Sequence, residues 1–176
     1  VQIAPKNAAS GTTEVQSDAF RATPLLSGEQ QNQQIRSLLL ARDGSIWLGS
    51  HDAGLIHLDV SRRVTEFYPV GPEQMPAAMI LSLYQDTLGR IWAGTLNGLA
   101  MRMPGETRWQ QYFSENESAD AKTKPNSRSL PSNLVRTILE QRDGTLWIGT
   151  HSGMARLDKL ERSANEPARW LAKFSR

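Results

Sequence analysis

Three segments of the chain show the same succession of apolar runs and turn signals. Each segment opens with an apolar run of strand length, beginning at Ile35, Ile80 and Val135. Runs of β-branched and large residues with this length predict buried strands. A short polar stretch ending in glycine follows each run, at residues 41–44, 86–89 and 141–144. Such stretches predict tight hairpin turns, because glycine adopts the positive φ that these turns require.

A strand with a central tryptophan follows each turn. These strands read "SIWLGS", "RIWAGT" and "TLWIGT", and their tryptophans are Trp47, Trp92 and Trp147. The tryptophans are 45 and 55 residues apart (92 − 47 and 147 − 92), and repeats of about this period indicate solenoids or propellers. One glycine lies three residues before each tryptophan and another lies two residues after it: Gly44, Gly49, Gly89, Gly94, Gly144 and Gly149.

Two further strands complete each segment. A glycine-bearing turn leads to a third strand, beginning at Leu55, Leu99 and Met154, and a polar connection leads to a fourth that ends in aromatic residues. Four antiparallel strands in about 45 residues form a β-propeller blade. The predicted fold is therefore all-β, with three complete blades at 35–68, 80–113 and 134–174. Each tryptophan is predicted to fill the gap between adjacent blades, and its glycines to make room for it.

The predicted blades do not include the amino-terminal part of the chain. Residues 1–17 are predicted to be a flexible amino-terminal segment, and residues 18–176 a partial propeller. The stretch around Phe20 is similar to the outer strand of a preceding blade. Three blades form an incomplete ring, because propellers typically have about four to eight. We therefore expect either further blades or self-association to complete it.

Composition narrows the classes of function. The 176 residues include no cysteine, and the formal net charge is +2. Basic residues are scattered rather than gathered in a stripe, which argues against nucleic acid as a partner. No apolar run approaches the roughly 20 residues of a membrane span. The chain begins at Val1 without methionine, which favours a processed or trimmed amino terminus. No nucleophile–base pair, phosphate loop or carboxylate pair stands out, so we predict no catalytic residue and no cofactor.

Ligand-binding candidates lie at the end of the blades where propellers usually collect binding residues. That end carries the turns between second and third strands and the connectors 69–79 and 114–133. The second connector is polar and predicts a mobile surface loop. Arg36 and Arg136 occupy equivalent positions on the innermost strands. They would contact an anionic ligand if they face the central channel of the propeller. They would form structural ion pairs if they face a neighbouring blade. The turn candidates are His51, Asp52, Asn97, His151 and Ser152.

Other residues of reactive type favour structural roles. His51 and His151 recur, but Leu96 replaces them in the second blade, so no metal site is predicted. His57 lies within a third strand and is predicted to be a packed or edge residue. Asp43 and Asp143 precede glycine in hairpins, where aspartate ordinarily bonds backbone amides.

The repeated string "DG-x-[IL]-W-[IL]-G-[ST]-x-x-x-G-[LM]" resembles the two-component regulator propeller repeat. It is present in the first blade, in the third blade with one residue fewer before the last glycine, and is approximated by "DTLGRIWAGTLNGLAMR" in the second, so the resemblance covers about residues 35–174. This resemblance implies a periplasmic sensor region of a bacterial hybrid histidine kinase or diguanylate cyclase, attached to the inner membrane in the parent protein. Such regions usually contain many more blades than this chain does.

Three functions follow from these observations. The first is a non-catalytic module that binds a small molecule or carbohydrate and signals across the membrane. The second is a propeller enzyme, such as a lyase or glycan-active enzyme, with His51 or His151 as base. The third is a self-assembling repeat that recruits protein partners through its open blade edges.

Overall fold

Three four-stranded sheets make up the described part of the molecule. The structure, a computed structural model, describes residues 33–115, 129–162 and 170–175. The segment 1–17, the strand predicted around Phe20 and residues 116–128 of the predicted surface loop lie outside the described residues. None of the described segments forms a helix long and apolar enough to cross a membrane.

Each sheet is an antiparallel meander in which sequential strands pair with their neighbours, as the repeats predict. We call the sheets β1–β4, β5–β8 and β9–β12 blade 1, blade 2 and blade 3. The strands are β1 (Ile35–Leu40), β2 (Ile46–Ser50), β3 (Leu55–Leu58), β4 (Val64–Tyr68), β5 (Ile80–Gln85), β6 (Ile91–Thr95), β7 (Gly98–Arg102), β8 (Gln110–Tyr112), β9 (Val135–Glu140), β10 (Leu146–Thr150), β11 (Gly153–Arg162) and β12 (Trp170–Ser175). Strand β11 is longer than predicted because its pairing with β12 continues to Arg162 opposite Trp170.

The first turn of each blade has the backbone that its glycine predicts. Gly44, Gly89 and Gly144 have φ values of 83°, 82° and 85°. In each case the glycine amide donates a hydrogen bond of 2.9 Å to the carbonyl three residues earlier. The hairpins between first and second strands are therefore fixed by local sequence.

Neighbouring blades pack face to face and contact each other most through their innermost strands, β1 against β5 and β5 against β9. The second glycine of the first two repeats permits this approach. A Cβ built on Gly49 would lie 2.7 Å from Ile80 side-chain atoms, and one on Gly94 would lie 2.8 Å from Val135 Cγ1. These glycines are needed because the next blade occupies the space of a side chain.

Two of the three tryptophans fill the gaps between blades, as predicted. Trp47 is 3% exposed and packs between blades 1 and 2 with Tyr68, Ile80 and Trp109. Trp92 is fully buried between blades 2 and 3. Trp147 holds the same position in blade 3 but is only half-buried, because no further blade lies beyond it in the described part of the chain.

The prediction that all the innermost strands are buried is wrong for β1 and β9. Leu38 and Leu40 of β1 are 64% and 62% exposed, and Leu139 of β9 is 61% exposed. In β5, by contrast, no residue is fully exposed. Among the described residues, only the middle blade has a neighbour on both faces, so apolar positions of the outer blades are left open to solvent.

Candidate functional site

The predicted ligand residues of the turns lie at one end of the blades. His51 and Asp52 fall between β2 and β3, Asn97 between β6 and β7, and His151 and Ser152 between β10 and β11. Backbone hydrogen bonds join the first two of these turns to the connectors that lead into the following blades. Gly54 donates to the Ala78 carbonyl at 2.9 Å, and Gly98 donates to the Asn133 carbonyl at 2.6 Å.

The side chains of this end are mostly open to solvent. Asp52, Asn97, His151 and Ser152 are exposed, whereas His51 is half-buried. The Nδ1 atom of His51 is buried and has no hydrogen-bond partner in the described part of the chain. No group of three or more His, Asp or Glu side chains is placed to hold a metal among residues 33–115, 129–162 and 170–175. The turns therefore present separate polar groups, one set per blade.

Arg36 and Arg136 both lie at register shifts in their strands. The pairing of β1 with β2 shifts between Ile35 and Ser37, and the pairing of β9 with β10 shifts at the corresponding place. A bulge residue of this kind is unpaired and its strand bends there. Both arginines are exposed, and neither forms an ion pair with another described residue. Blade 2 has the same shift, with Leu81 at that position.

The aspartates of the first turns act as the sequence predicts. Asp43 Oδ1 accepts a hydrogen bond of 2.9 Å from the amide of Ser45, and Asp143 Oδ1 accepts one of 2.9 Å from the amide of Thr145. Hydrogen bonding from Ser45 lowers the pKa of Asp43, and the Thr145 amide lowers the pKa of Asp143. Both carboxylates are therefore charged at neutral pH, and both fix the hairpin.

A cleft between blades 1 and 2 lies at the opposite end of the blades from the predicted site. Its volume is about 280 Å³, and blade 1 contributes Asp43 and the two stacked rings of Trp47 and His57. Blade 2 contributes the Arg102 guanidinium and the turn that follows it. The remaining lining residues are Ala41, Gln85, Gly89, Ile91, Met103, Pro104 and Gly105. None of these residues was predicted to contact a ligand.

The indole N–H groups of the three repeat tryptophans differ in their partners. Trp92 Nε1 donates to Asp86 Oδ2 at 2.7 Å, and Trp147 Nε1 donates to Gln141 Oε1 at 2.8 Å. Each acceptor lies six residues before its tryptophan. In blade 1 that position is Ala41, which has no side-chain acceptor. Within the described part of the chain, Trp47 Nε1 donates no hydrogen bond to a protein acceptor.

A second substitution between the repeats also enlarges the cleft. In blade 2 Arg90 forms a buried ion pair with Asp86 and lies over the Trp92 ring at 5.4 Å. The corresponding residue of blade 1 is Ser45. The cleft between blades 2 and 3, which Arg90 lines, has a volume of about 200 Å³. Alanine and serine thus replace a buried Asp–Arg pair where the larger cleft lies.

Aromatic and charged groups form one wall of the cleft between blades 1 and 2. The His57 ring stacks on Trp47 with centroids 4.1 Å apart, and the Arg102 guanidinium carbon lies 5.2 Å from the Trp47 centroid. Glu66 lies behind them, 3.4 Å from His57 Nδ1 and 3.6 Å from a terminal nitrogen of Arg102. Stacking and charge pairing hold these side chains in place.

His57 is a neutral polar group in this wall. Burial lowers the pKa of His57, an effect that Glu66 opposes only in part. Its Nδ1 atom lies 3.0 Å from Thr65 Oγ1, while its buried Nε2 atom has no hydrogen-bond partner among the described residues. Two ring nitrogens of this stacked pair, His57 Nε2 and Trp47 Nε1, therefore have no hydrogen-bond partner in the described part of the chain. His57 was predicted to be a packed or edge residue, and its ring packs on Trp47. Its unpaired nitrogen was not predicted.

The three stacked meanders define the class of the molecule as a β-propeller repeat protein, because each blade is a four-stranded antiparallel sheet packed face to face with the next. The family model described as "Two component regulator propeller" matches residues 29–52, 74–97 and 129–152. Three segments of the chain therefore match the model of this propeller repeat, and the resemblance seen in the sequence is confirmed.

Solved structures share this fold at low sequence identity. The extracellular domains assigned to the hybrid two-component systems BT3049 and BT4673 of B. thetaiotaomicron are 19% and 23% identical, each with a TM-score of 0.56. The matches cover 76% and 77% of this chain but 17% of each of those chains. A catalytically inactive virginiamycin B lyase from Staphylococcus aureus, solved with quinupristin, is 16% identical with a TM-score of 0.53, over 84% of this chain and 43% of that chain.

These comparisons concern only part of each relative, since the chain spans about a sixth of the length of the two B. thetaiotaomicron domains. No curated protein matches the sequence.

Proposed function

We propose that the chain is the ligand-sensing, non-catalytic portion of an extracytoplasmic propeller in a bacterial transmembrane receptor of the two-component type. The observation that carries this proposal is the set of three matched repeats, folded as three consecutive packed blades. The similarity to extracellular domains of hybrid two-component systems supports it. In the parent protein the propeller would lie in the periplasm, attached to the inner membrane.

The sensing role requires a ligand that is bound and released unchanged. The proposed contacts lie at the end of the blades that carries the turns between second and third strands. They are the polar groups of His51, Asp52, Asn97, His151 and Ser152. Arg36 and Arg136 would add positive charge from the bulges of β1 and β9. Exposed hydroxyl, amide, imidazole and guanidinium groups suit a small polar molecule or a carbohydrate, since they can donate and accept hydrogen bonds.

Equilibrium dialysis tests this role directly. The purified chain is dialysed against a defined mixture of mono- and oligosaccharides, amino acids and organic acids, and both sides are quantified by mass spectrometry. We expect one compound to be enriched on the protein side up to about one equivalent and recovered unchanged. Conversion of many equivalents into a product would overturn the non-catalytic assignment, and absence of any enrichment would overturn the sensing role.

A lyase-type enzyme is the second candidate, favoured by the fold that the chain shares with virginiamycin B lyase. In that case His51 or His151 would act as the base. The chain is incubated with quinupristin and with the same mixture, beside the variants His51→Ala and His151→Ala. Turnover by the chain that is lost in either variant would establish the enzyme. Unchanged compounds in all three samples would exclude this candidate for the substrates tested.

An interaction module is the third candidate, favoured by the open face of blade 3. Met154 is 61% exposed, whereas the equivalent residues Leu55 and Leu99 are fully buried against the following blade. Leu139 is likewise 61% exposed on this face. We propose that a second copy of the chain covers the face when the chain is isolated, because its residues occupy positions that receive a blade elsewhere in the molecule.

Sedimentation measures that association. We expect the chain to form dimers or larger species with rising concentration, and Met154→Glu to remain monomeric because a buried charge opposes the contact. The matched control is Leu88→Glu, since Leu88 is 69% exposed in a turn outside the face. A chain that stays monomeric at high concentration, or an equal effect of the two variants, would reject the proposal.

A further inference from the structure

The cleft between blades 1 and 2 contains a tryptophan whose counterpart in blade 2 has a hydrogen-bond acceptor. In blade 2 the Asp86 carboxylate accepts hydrogen bonds from Trp92 Nε1 and from the Arg90 guanidinium. In blade 1 the tryptophan is retained, but the acceptor and the arginine are replaced by Ala41 and Ser45. The donor therefore remains while its acceptor is missing.

The space left by these replacements is open. The cleft has a volume of about 280 Å³, against about 200 Å³ for the cleft between blades 2 and 3. Small-molecule sites range from about 300 to 1,000 Å³. The cleft between blades 1 and 2 lies near the lower limit of that range, so it suits a small ligand.

Arg102 supplies a positive charge to the cleft, where blade 1 has Ser45 in place of the arginine of blade 2. Arg102 reaches the cleft from blade 2, and its side chain is 16% exposed. Its Nε atom donates to the Glu106 carbonyl and one terminal nitrogen faces Glu66. The other terminal nitrogen has no hydrogen-bond acceptor among the described residues. Arg102 thus retains donor capacity toward the cleft, in a setting of low exposure where a charge-assisted bond is strong.

We propose that this cleft binds a small molecule through a carboxylate group that accepts hydrogen bonds from Trp47 Nε1 and Arg102, in the place that the Asp86 carboxylate takes in blade 2. The ligand carboxylate supplies the acceptor that Ala41 lacks. Asp43, on the same cleft, favours a ligand whose other end carries a donor such as a hydroxyl or ammonium group. The site lies at the opposite end of the blades from the turn residues, and it is independent of the proposed signalling role.

The probe is acetate, the simplest carboxylate that fits the cleft. The five tryptophans give separate indole N–H signals in a ¹H–¹⁵N spectrum of the labelled chain. Sodium acetate is titrated against sodium chloride at equal ionic strength. We expect one indole signal to shift saturably with acetate alone, and its hydrogen exchange to slow, because the Trp47 N–H gains an acceptor.

Ala41→Gln is the decisive variant, because glutamine at this position accepts from the indole in blade 3. The glutamine fills the acceptor position, so acetate affinity should fall by at least about tenfold, the effect of losing one hydrogen bond to a charged group. His151→Ala, at the other end of the blades, should leave acetate binding unchanged. Arg102→Gln should weaken acetate more than the neutral probe acetamide.

Several outcomes would overturn the inference. They are the absence of a saturable acetate shift, an equal shift with chloride, and full retention of the shift in Ala41→Gln. Should Ala41→Gln fail to fold, the hydrogen-exchange rates in the unaltered chain decide the question. Exchange of the affected indole N–H that acetate does not slow would then refute the proposal. None of these results depends on whether the parent protein is a receptor.

Discussion

The buried Asp86 carboxylate offers a quantitative test of how the blades are held together. Asp86 is fully buried, and its oxygens accept from the amides of Leu88 and Arg90, from the Arg90 guanidinium and from Trp92 Nε1. The side chain of Arg90 is only 10% exposed. Replacing Asp86 by alanine therefore leaves a buried cation and a buried indole N–H without their acceptor.

The expected loss of stability follows from that unpaired charge. Removing one partner of a buried ion pair costs about 3–5 kcal/mol, mostly from the charge left behind. The double variant Asp86→Ala/Arg90→Ser reproduces the Ala41 and Ser45 arrangement of blade 1. It removes the orphaned cation, so we expect it to be more stable than Asp86→Ala by about 1–2 kcal/mol, after allowing for the lost cation–π contact.

Urea unfolding, followed by far-ultraviolet circular dichroism, gives the free energies of unfolding for all variants. The matched control is Gln141→Ala, which removes the indole acceptor at the equivalent but exposed position of blade 3 and should cost less than about 1 kcal/mol. The reasoning is refuted if Asp86→Ala loses less than about 1 kcal/mol, or if the double variant is less stable than the single one.

Two further predictions concern the blade contacts and the cleft. Gly94→Ala should destabilise the fold by about 1–3 kcal/mol, because its Cβ would lie 2.8 Å from Val135 Cγ1. Gly71→Ala, whose Cβ would have no neighbour nearer than 4.0 Å, is its control in the same urea assay, and equal effects would contradict the packing argument. The folded-state pKa of His57 is lowered from 6.5, so its contribution to stability is complete above pH 6.5 and is lost as pH falls through the folded-state pKa. Between pH 7.5 and pH 5, the free energy of unfolding should decrease more for the unaltered chain than for His57→Gln. Equal decreases would show that folding does not change the pKa of His57.

Much of the fold could be predicted because its signals are local. The hairpins at Gly44, Gly89 and Gly144 follow from the backbone freedom of glycine, and the Trp47 and Trp92 contacts follow from the period of the repeat. The placement of His51, Asn97 and His151 at one end follows from strand order alone. Their role in binding stays a prediction, since strand order does not determine which ligand contacts them.

The cleft at Trp47 could not be predicted in the same way, although its signal was present in the sequence. Aligning the repeats places Ala41 opposite Asp86 and Gln141, and Ser45 opposite Arg90. The consequence of these differences becomes clear only in the structure, where the indole N–H donates to the residue six positions earlier in the sequence. His57 and Arg102 add to the site from β3 and β7, which belong to different blades.

By itself, the sequence of this protein determined the strands, the hairpin turns and the number of blades, because these depend on residues close together along the chain. Tertiary structure decided what those blades expose: the apolar face with Leu139 and Met154, and the cleft where Trp47 meets Arg102. The physical reason is that exposure and hydrogen-bond pairing depend on which blade lies opposite, and residues more than 40 positions apart in the sequence supply the opposing atoms.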